Sequence, residues 1–302
     1  MKNIYKISFI FSIFTLILSA CEWINPEEKL PGYIYIDSVI VNSNYSTEGT
    51  NSQKVSDVWI YVEQDGEMPF QGAYELPAKF PVLKTGQVKI RVYAGIKNNG
   101  ISASRKKYPF YEYFEVDTVL SELQTMVLNP VVKYKTDNAE FVFMEDFEDP
   151  GKKFVTSTKS DTTFLKSSID AFEGSKSGLI ILDSLHSIFE CKTIDSLILP
   201  LDLKEVYIEM NYKSNLDLYA SDKNLLAVGF FYSTNTAIYQ ETVVYLNSTN
   251  GKWNKIYIDL TNTIASHQDA LYFRPFIGVQ KSELIKNAEI GIDNFKIIKQ
   301  IK

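Results

Sequence analysis

The chain has 302 residues, of which 45% are hydrophobic, 23% charged and 14% aromatic. These proportions exclude a disordered tail protein and leave ample apolar material for a packed core. The formal charge of −6 comes without a block of like-signed residues, which excludes the clustered Lys and Arg that a nucleic-acid binder needs to meet phosphates. Two His and two Cys are too few for a zinc site or a disulfide framework. At roughly 150 residues per domain the length predicts about two domains. The 19 Tyr, 19 Phe and 3 Trp against 5 Met favour strand-formers.

The first segment reads as an address. Met1–Lys6 is short and basic, and ISFIFSIFTLILSA (7–20) is apolar. That run falls short of the ~20 residues a spanning helix needs but suits a signal-peptide core. It ends in Leu18-Ser19-Ala20-Cys21, which resembles a bacterial lipobox. The resemblance implies that residues 1–20 are removed and that Cys21 carries the lipid, anchoring the chain through acyl groups worth about 0.8 kcal/mol per buried methylene. From Cys21 onward 282 residues remain, more acidic than the whole because Lys2 and Lys6 leave. Cys191 would then be the only thiol left, and SIFECKTI (187–194) reads as a strand that buries it as a small core residue. Residues 21–32, with Pro26, Pro31 and Gly32, read as an extended tether. Its Glu22, Glu27 and Glu28 resemble the export signals of surface lipoproteins in the Bacteroidota. That resemblance implies an outer-membrane lipoprotein facing outward, with the periplasmic leaflet as the alternative.

From Tyr33 the chain alternates apolar and polar residues with period two, the mark of half-buried strands. In VSDVWIYVEQDG, Val58, Ile60 and Val62 share one face and Trp59 and Tyr61 the other. Asp65-Gly66, Lys84-Thr85-Gly86 and Asn98-Asn99-Gly100 are turn signals. Pro77 and Pro81 suit strand edges. About seven strands fit between Tyr33 and Tyr134, a β-sandwich over residues 33–135. Asp57–Gly95 resembles the immunoglobulin-like and carboxypeptidase-regulatory-like modules of secreted bacterial proteins and of Bacteroidota lipoproteins.

After a junction near Thr136-Asp137-Asn138, residues 140–302 resemble a carbohydrate-binding jelly roll of the galactose-binding-like type. Four pieces carry this: FMEDFED (143–149), AFEGSKSGLIIL (171–182), GKWNKIYIDLT (251–261) and IGIDNFKII (290–298). The expected fold is therefore all-β, an N-terminal Ig-like sandwich followed by a C-terminal jelly roll. Helical periodicity is nearly absent, with SELIKNAE (282–289) the one candidate for a turn of helix.

The acids Glu145, Asp146, Glu148 and Asp149 invite a hydrolase reading, yet they crowd one strand end and no distant partner is evident. The jelly-roll resemblance instead implies a structural Ca²⁺, with Asp146, Glu148 and Asp293 at the matching positions. Asp183-Ser184-Leu185-His186-Ser187 and Gly174-Ser175-Lys176-Ser177-Gly178 lack the arrangement of a triad or nucleophile elbow, so His186 and His267 read as ordinary loop or strand residues. A pyranose presents an apolar C–H face that stacks on a flat ring, which makes Tyr232, Tyr239, Tyr245, Trp253, Tyr257 and Tyr272 candidates for sugar contact beside the competing role of core packing. Tyr232 and Tyr239 bracket a polar loop; Trp253 leads a strand. Tyr108, Phe110, Tyr111, Tyr113 and Phe114 crowd into seven residues, more than one sheet face buries, and predict an exposed partner surface. Asp37-Ser38-Val39, Asp117-Thr118-Val119, Asp183-Ser184-Leu185 and Asp195-Ser196-Leu197 resemble the O-glycosylation motif of exported Bacteroidota proteins.

Three readings compete. The first is a lipid-anchored, non-catalytic envelope protein that recognises a glycan through the jelly roll. The second is a structural lipoprotein of an adhesion, motility or transport complex with protein partners. The third, least favoured, is a hydrolase.

Overall fold

The structure, a computed structural model, describes residues 28–302. The expected signal segment, Cys21 and the tether up to Glu27 lie outside the described residues. What is described is nearly all β and gathers around two hydrophobic cores.

The first core is built by β1 (Gly32–Ile36), β2 (Ile40–Val41), a short helix α1 (Tyr45–Glu48), β3 (Asp57–Glu63), β4 (Phe70–Glu75), β5 (Ala78–Val82), β6 (Gly86–Lys97), β7 (Arg105–Lys107), β8 (Phe114–Leu120), β9 (Thr125–Leu128) and β10 (Val131–Val132). The long β6 takes β3 along one side and β7 and β8 in succession along the other. A second, three-stranded sheet runs β5-β1-β9. Val58, Ile60 and Val62 face inward with Ile90 and Val92, against Ile34, Ile36 and Phe80, as the period-two pattern requires. Asp65 and Gly66 both have positive φ (56° and 82°), the backbone of a tight hairpin turn. Pro81 sits on β5, the outer strand of its sheet, where its missing N–H costs no ladder bond.

The second core lies between two antiparallel sheets. Its elements are β11 (Ala139–Glu145), β12 (Phe154–Thr156), β13 (Leu165–Ser167), β14 (Ser177–Leu182), β15 (Ile188–Thr193), β16 (Val206–Ser214), β17 (Leu225–Ser233), β18 (Ile238–Tyr245), β19 (Asn254–Asp259), the helix α2 (Thr261–Ala265), β20 (Tyr272–Gln280) and β21 (Ala288–Gln300). One sheet runs β13-β14-β21-β16-β19, with β11 beside the second half of β21; the other runs β12-β15-β20-β17-β18. Successive segments cross between the sheets, the chain path of a jelly roll. Cys191 is fully buried on β15, and burial pushes its thiol well above the ordinary range. The segment 282–289 makes a single turn, closed by the Ile285 N–H donating to Ser282 O (3.2 Å), and no helix. The short helices form instead at Tyr45–Glu48, capped by Asn44, and at Thr261–Ala265.

The outer face of the β16 sheet is covered by the first module. Every residue of β16 is buried: Val206, Ile208 and Met210 enter the jelly-roll core, whereas Tyr207 packs in the first core together with Tyr257 and Ile298. At the centre of this contact lies Glu209, with no exposed surface. Its carboxylate accepts hydrogen bonds from Tyr108 (2.6 Å) and Tyr134 (3.0 Å) of the first module. It also meets the ammonium groups of Lys255 (2.8 Å) and Lys296 (3.8 Å). Lys296 in turn donates to Tyr134 Oη (2.9 Å) and to the carbonyls of Glu48 (2.8 Å) and Thr50 (3.2 Å). Burial alone would raise the Glu209 carboxyl, but the two ammonium groups hold it below its usual range. Burial lowers Lys296 to about 8.

This contact overturns the expected partner surface. Tyr108, Phe110 and Tyr111 are 3%, 1% and 2% exposed; the Tyr108 ring packs edge-on against Phe110, Tyr111 and Tyr207 and tilted against Tyr257, and Phe110 packs edge-on against Tyr207. A single sheet face could not bury so many rings, but a second module can. Phe114 is half-buried, and only Tyr113, at 42%, stays at the surface, its ring tilted against Tyr93 (5.2 Å) and beneath the Arg91 guanidinium.

Replacing Glu209 with Ala strands two buried ammonium groups, and urea unfolding should report a loss of about 3–5 kcal/mol. Changing Glu209, Lys255 and Lys296 together to Met should cost less than that single change, because no charge is left unpaired. Equal losses would contradict the network.

Candidate functional site

A cleft of about 450 Å³ opens where the two modules meet. Its jelly-roll wall is the loop 246–253 between β18 and β19, with Tyr212 and Tyr245 beside it; its other wall carries Lys54, Ser56, Lys97 and Asn99 from the first module. The loop Asn247-Ser248-Thr249-Asn250-Gly251-Lys252 is held by one acceptor. The Ser214 carbonyl accepts from the N–H groups of Thr249 (3.0 Å) and Gly251 (3.0 Å) and from Ser248 Oγ (3.0 Å). Asn250 and Gly251 take positive φ (53° and 72°), a conformation Gly adopts without a steric penalty, and the chain then delivers Trp253 to the cleft. The Trp253 Nε1–H donates to Asp170 O (3.2 Å), and the Lys213 ammonium sits 5.2 Å from the ring centroid. Tyr245, at the end of β18, is 62% exposed.

The first-module wall is equally well fixed. Asn99 Oδ1 accepts the Asp259 N–H (2.8 Å), and the Asn98 side-chain amide donates to Asp259 Oδ2 (3.1 Å). The Lys54 N–H donates to Tyr257 Oη (3.1 Å), while its ammonium donates to Asn254 Oδ1. Burial, followed by the charge of Lys97, lowers the Lys54 ammonium below its ordinary value. Among the described residues no Asp or Glu lines the cleft.

Of the expected sugar-contact residues, the structure places Trp253, Tyr245 and Tyr257 in this cleft and Tyr232, Tyr239 and Tyr272 elsewhere. Tyr257 lines its floor but is spent on packing, with its hydroxyl 3.1 Å from that of Tyr111. Tyr232 and Tyr239 face each other across β17 and β18 with rings 5.2 Å apart. Tyr232 also stacks on His267 at 4.0 Å, so most of its face is already taken; Tyr239 is 46% exposed. Tyr239 and Tyr245 lie six residues apart on β18, about 20 Å at strand rise, so they serve different surfaces. Arg274 lies over Tyr272. His186 contacts Asp183 in the turn between β14 and β15 (Nδ1 to Oδ1, 2.9 Å). The hydroxyl-bearing residues Ser38, Ser184 and Ser196 of the glycosylation-like motifs are exposed, and Thr118 is half-buried.

The acids expected at a calcium site do not assemble. Among the described residues no group of three or more Asp, Glu, His or Cys side chains could hold a metal ion. The carboxylates of Asp146, Glu148 and Asp293 are turned instead to donors of the chain itself. Glu148 accepts from the Ser175 N–H (2.7 Å), Ser175 Oγ (2.5 Å) and the Lys176 N–H (2.8 Å), which hold its carboxyl below the usual range. Asp146 accepts from Tyr45 Oη (3.0 Å) and the Glu148 N–H (3.2 Å). Asp293, on β21, accepts from the N–H groups of Phe172 (3.1 Å), Glu173 (3.2 Å) and Asn294 (2.8 Å). These bonds tie the loop before β14 to the closing strand, a structural task that a cation could otherwise perform.

No family model matches the sequence, and a comparison with curated proteins finds no match. Among solved structures the chain is similar to the C-terminal family 22 carbohydrate-binding module of Clostridium thermocellum Xyn10B, at 12% identity over 52% of this chain and 94% of that one, with a TM-score of 0.33. A carbohydrate-binding module of the β-sandwich superfamily matches at 13% identity over 90% of this chain and 99% of its own, with a TM-score of 0.39. The K3 cleaved adhesin domain of Lys-gingipain from Porphyromonas gingivalis matches at 14% identity over 53% and 98%, with a TM-score of 0.38.

Two outcomes check this site. Burial raises the Asp293 carboxyl to about 7, with the backbone N–H groups pulling the other way. Its ionised form is thus the disfavoured one in the fold, and its contribution to stability is present at low pH and lost as pH rises through about 7. Carboxyl ¹³C shifts of Asp293 should titrate near neutrality; a midpoint near the ordinary carboxylate value of about 4 would refute this. Chelator should leave the thermal midpoint unchanged, since a cation bound only to the folded chain would have raised it.

Proposed function

We propose that the protein is a non-catalytic glycan-binding protein of the bacterial cell envelope, anchored by a lipid on Cys21 at the outer membrane. The cleft between the modules carries the reading: an exposed Tyr245 and the half-buried Trp253 offer ring surface, and Asn99, Asn247, Asn250 and Ser248 surround them with side chains that can meet sugar hydroxyls. Aromatic body and polar rim are the two elements that a pyranose requires, stacking for its C–H face and hydrogen bonds for its edge. Glycoside hydrolysis needs two carboxylates flanking the bond, and among the described residues no carboxylate lines this cleft. The shallow, solvent-open site suits retention of a chain at the surface more than its cleavage. The lipobox-like Leu18–Cys21 and the exposed acceptor-like serines support export and anchoring.

Affinity electrophoresis through gels carrying different polysaccharides should show retardation by at least one of them. Trp253→Ala and Tyr245→Ala should each weaken it by about tenfold, or ~1.4 kcal/mol. Retardation that survives both changes would move the binding site elsewhere, and no retardation by any polysaccharide would end the glycan reading.

A further inference from the structure

The same cleft has a charge that stacking and hydroxyl recognition do not require. Among the described residues four lysines line it, Lys54, Lys97, Lys252 and Lys255, and no acid does, in a chain whose overall charge is −6. Two of the four have acidic partners outside the cleft lining: Lys255 meets the buried Glu209 (2.8 Å) and Lys97 the exposed Glu75 (2.9 Å). Lys54 and Lys252 make no ion pair among the described residues; the Lys54 ammonium is held only by the neutral side chain of Asn254.

Lys54 and Lys252 are exposed residues beside the aromatic surface of the cleft, each without an acidic partner among the described residues. Burial and the neighbouring Lys97 both disfavour the charged form of Lys54, and an anion in the cleft would relieve that cost. Net positive charge confined to a concave site on an acidic molecule also concentrates anions there rather than elsewhere on the surface.

We propose that the cleft takes an acidic glycan, a pyranose chain bearing carboxylate or sulfate groups, with Trp253 and Tyr245 against the rings and Lys54 and Lys252 against the anionic substituents. This rests on the glycan reading above and names its substrate class. The modules contribute jointly: Lys54 comes from the first and Lys252 from the second, so the site exists only when both are docked.

Calorimetry on the full chain in detergent, with oligogalacturonate, its methyl ester and a sulfated galactan oligosaccharide as probes, tests the proposal. One of the two acidic probes should bind about tenfold or more tightly than the ester, and the advantage should shrink as salt screens it. Which acid prevails identifies the anionic group. Lys54→Gln with Lys252→Gln should bring the acid down to the affinity that the ester shows for the same double variant. Ester and acid binding equally would overturn the anionic preference while the glycan reading stands. Binding of none of the three probes would overturn the acidic-glycan assignment, while the polysaccharide gels above decide the glycan reading separately. Salt-sensitive binding of acid that persists in the double Lys variant would assign the attraction to other surface charge and overturn the site.

Discussion

A carboxylate removed from water must be compensated where it lies, and the rest of this molecule is arranged around one such group. Glu209 sits in the middle strand region of the jelly roll's larger sheet with no exposed surface. Two lysines from adjoining strands of that sheet balance its charge, and two tyrosines from the other module fill its remaining acceptor positions. Separating the modules would return one carboxylate and two ammonium groups to water but would also expose Tyr108, Tyr111, Tyr134, Tyr207 and Tyr257, all fully or nearly fully buried. The polar network alone adds little net stability over an apolar contact of the same volume. What it adds is direction, because charge and hydroxyl positions match in one docking geometry only.

The cleft follows from that geometry. Its walls come from different modules, and the contacts that hold them, Asn99 to Asp259, Asn98 to Asp259 and Lys54 to Tyr257 and Asn254, radiate from the same strands that carry Lys255 and Glu209. β19 is the hinge of this logic: Ile256 and Ile258 enter the jelly-roll core, Lys255 and Tyr257 face the first module, and Trp253 stands just before its first residue in the cleft. A single six-residue strand thus couples core, interface and site.

Several parts of this were legible in the residues. Alternation at Val58, Ile60 and Val62 reported its inward face correctly because a strand has only two faces and water selects between them. Turn pairs such as Asp65-Gly66 were legible because few residues tolerate positive φ. Alternation misleads when the second face also finds a cover. In Val206–Ser214 the polar residues Glu209, Asn211 and Lys213 alternate with apolar ones as in any half-exposed strand, yet both faces are buried. The tyrosine-rich run 108–113 shows the same effect from the other side: its surplus of rings did signal a contact surface, but the partner is carried by the same chain. Nothing local marks Lys54, Asn99 or Lys252 as neighbours, since they are brought together from segments about 45 to 200 residues apart. The acids 146, 148 and 293 stood out by motif, but backbone N–H groups of the loop at 172–176 set the direction of the Glu148 and Asp293 oxygens, and Tyr45 Oη that of Asp146.

Sequence alone determined the class of secondary structure, the inward faces of the strands, the absence of a disulfide framework and the residue types capable of stacking on a sugar. These depend on composition and on short-range periodicity, which a chain carries wherever it is read. Tertiary structure decided which polar faces meet water, where Glu209 finds its counter-charges, that Tyr108–Tyr111 face inward, and that Trp253 and Tyr245 share a cleft with unpaired lysines while Tyr232 and Tyr239 do not. Those outcomes depend on docking one module against another, a long-range match of shape and charge that no local pattern encodes.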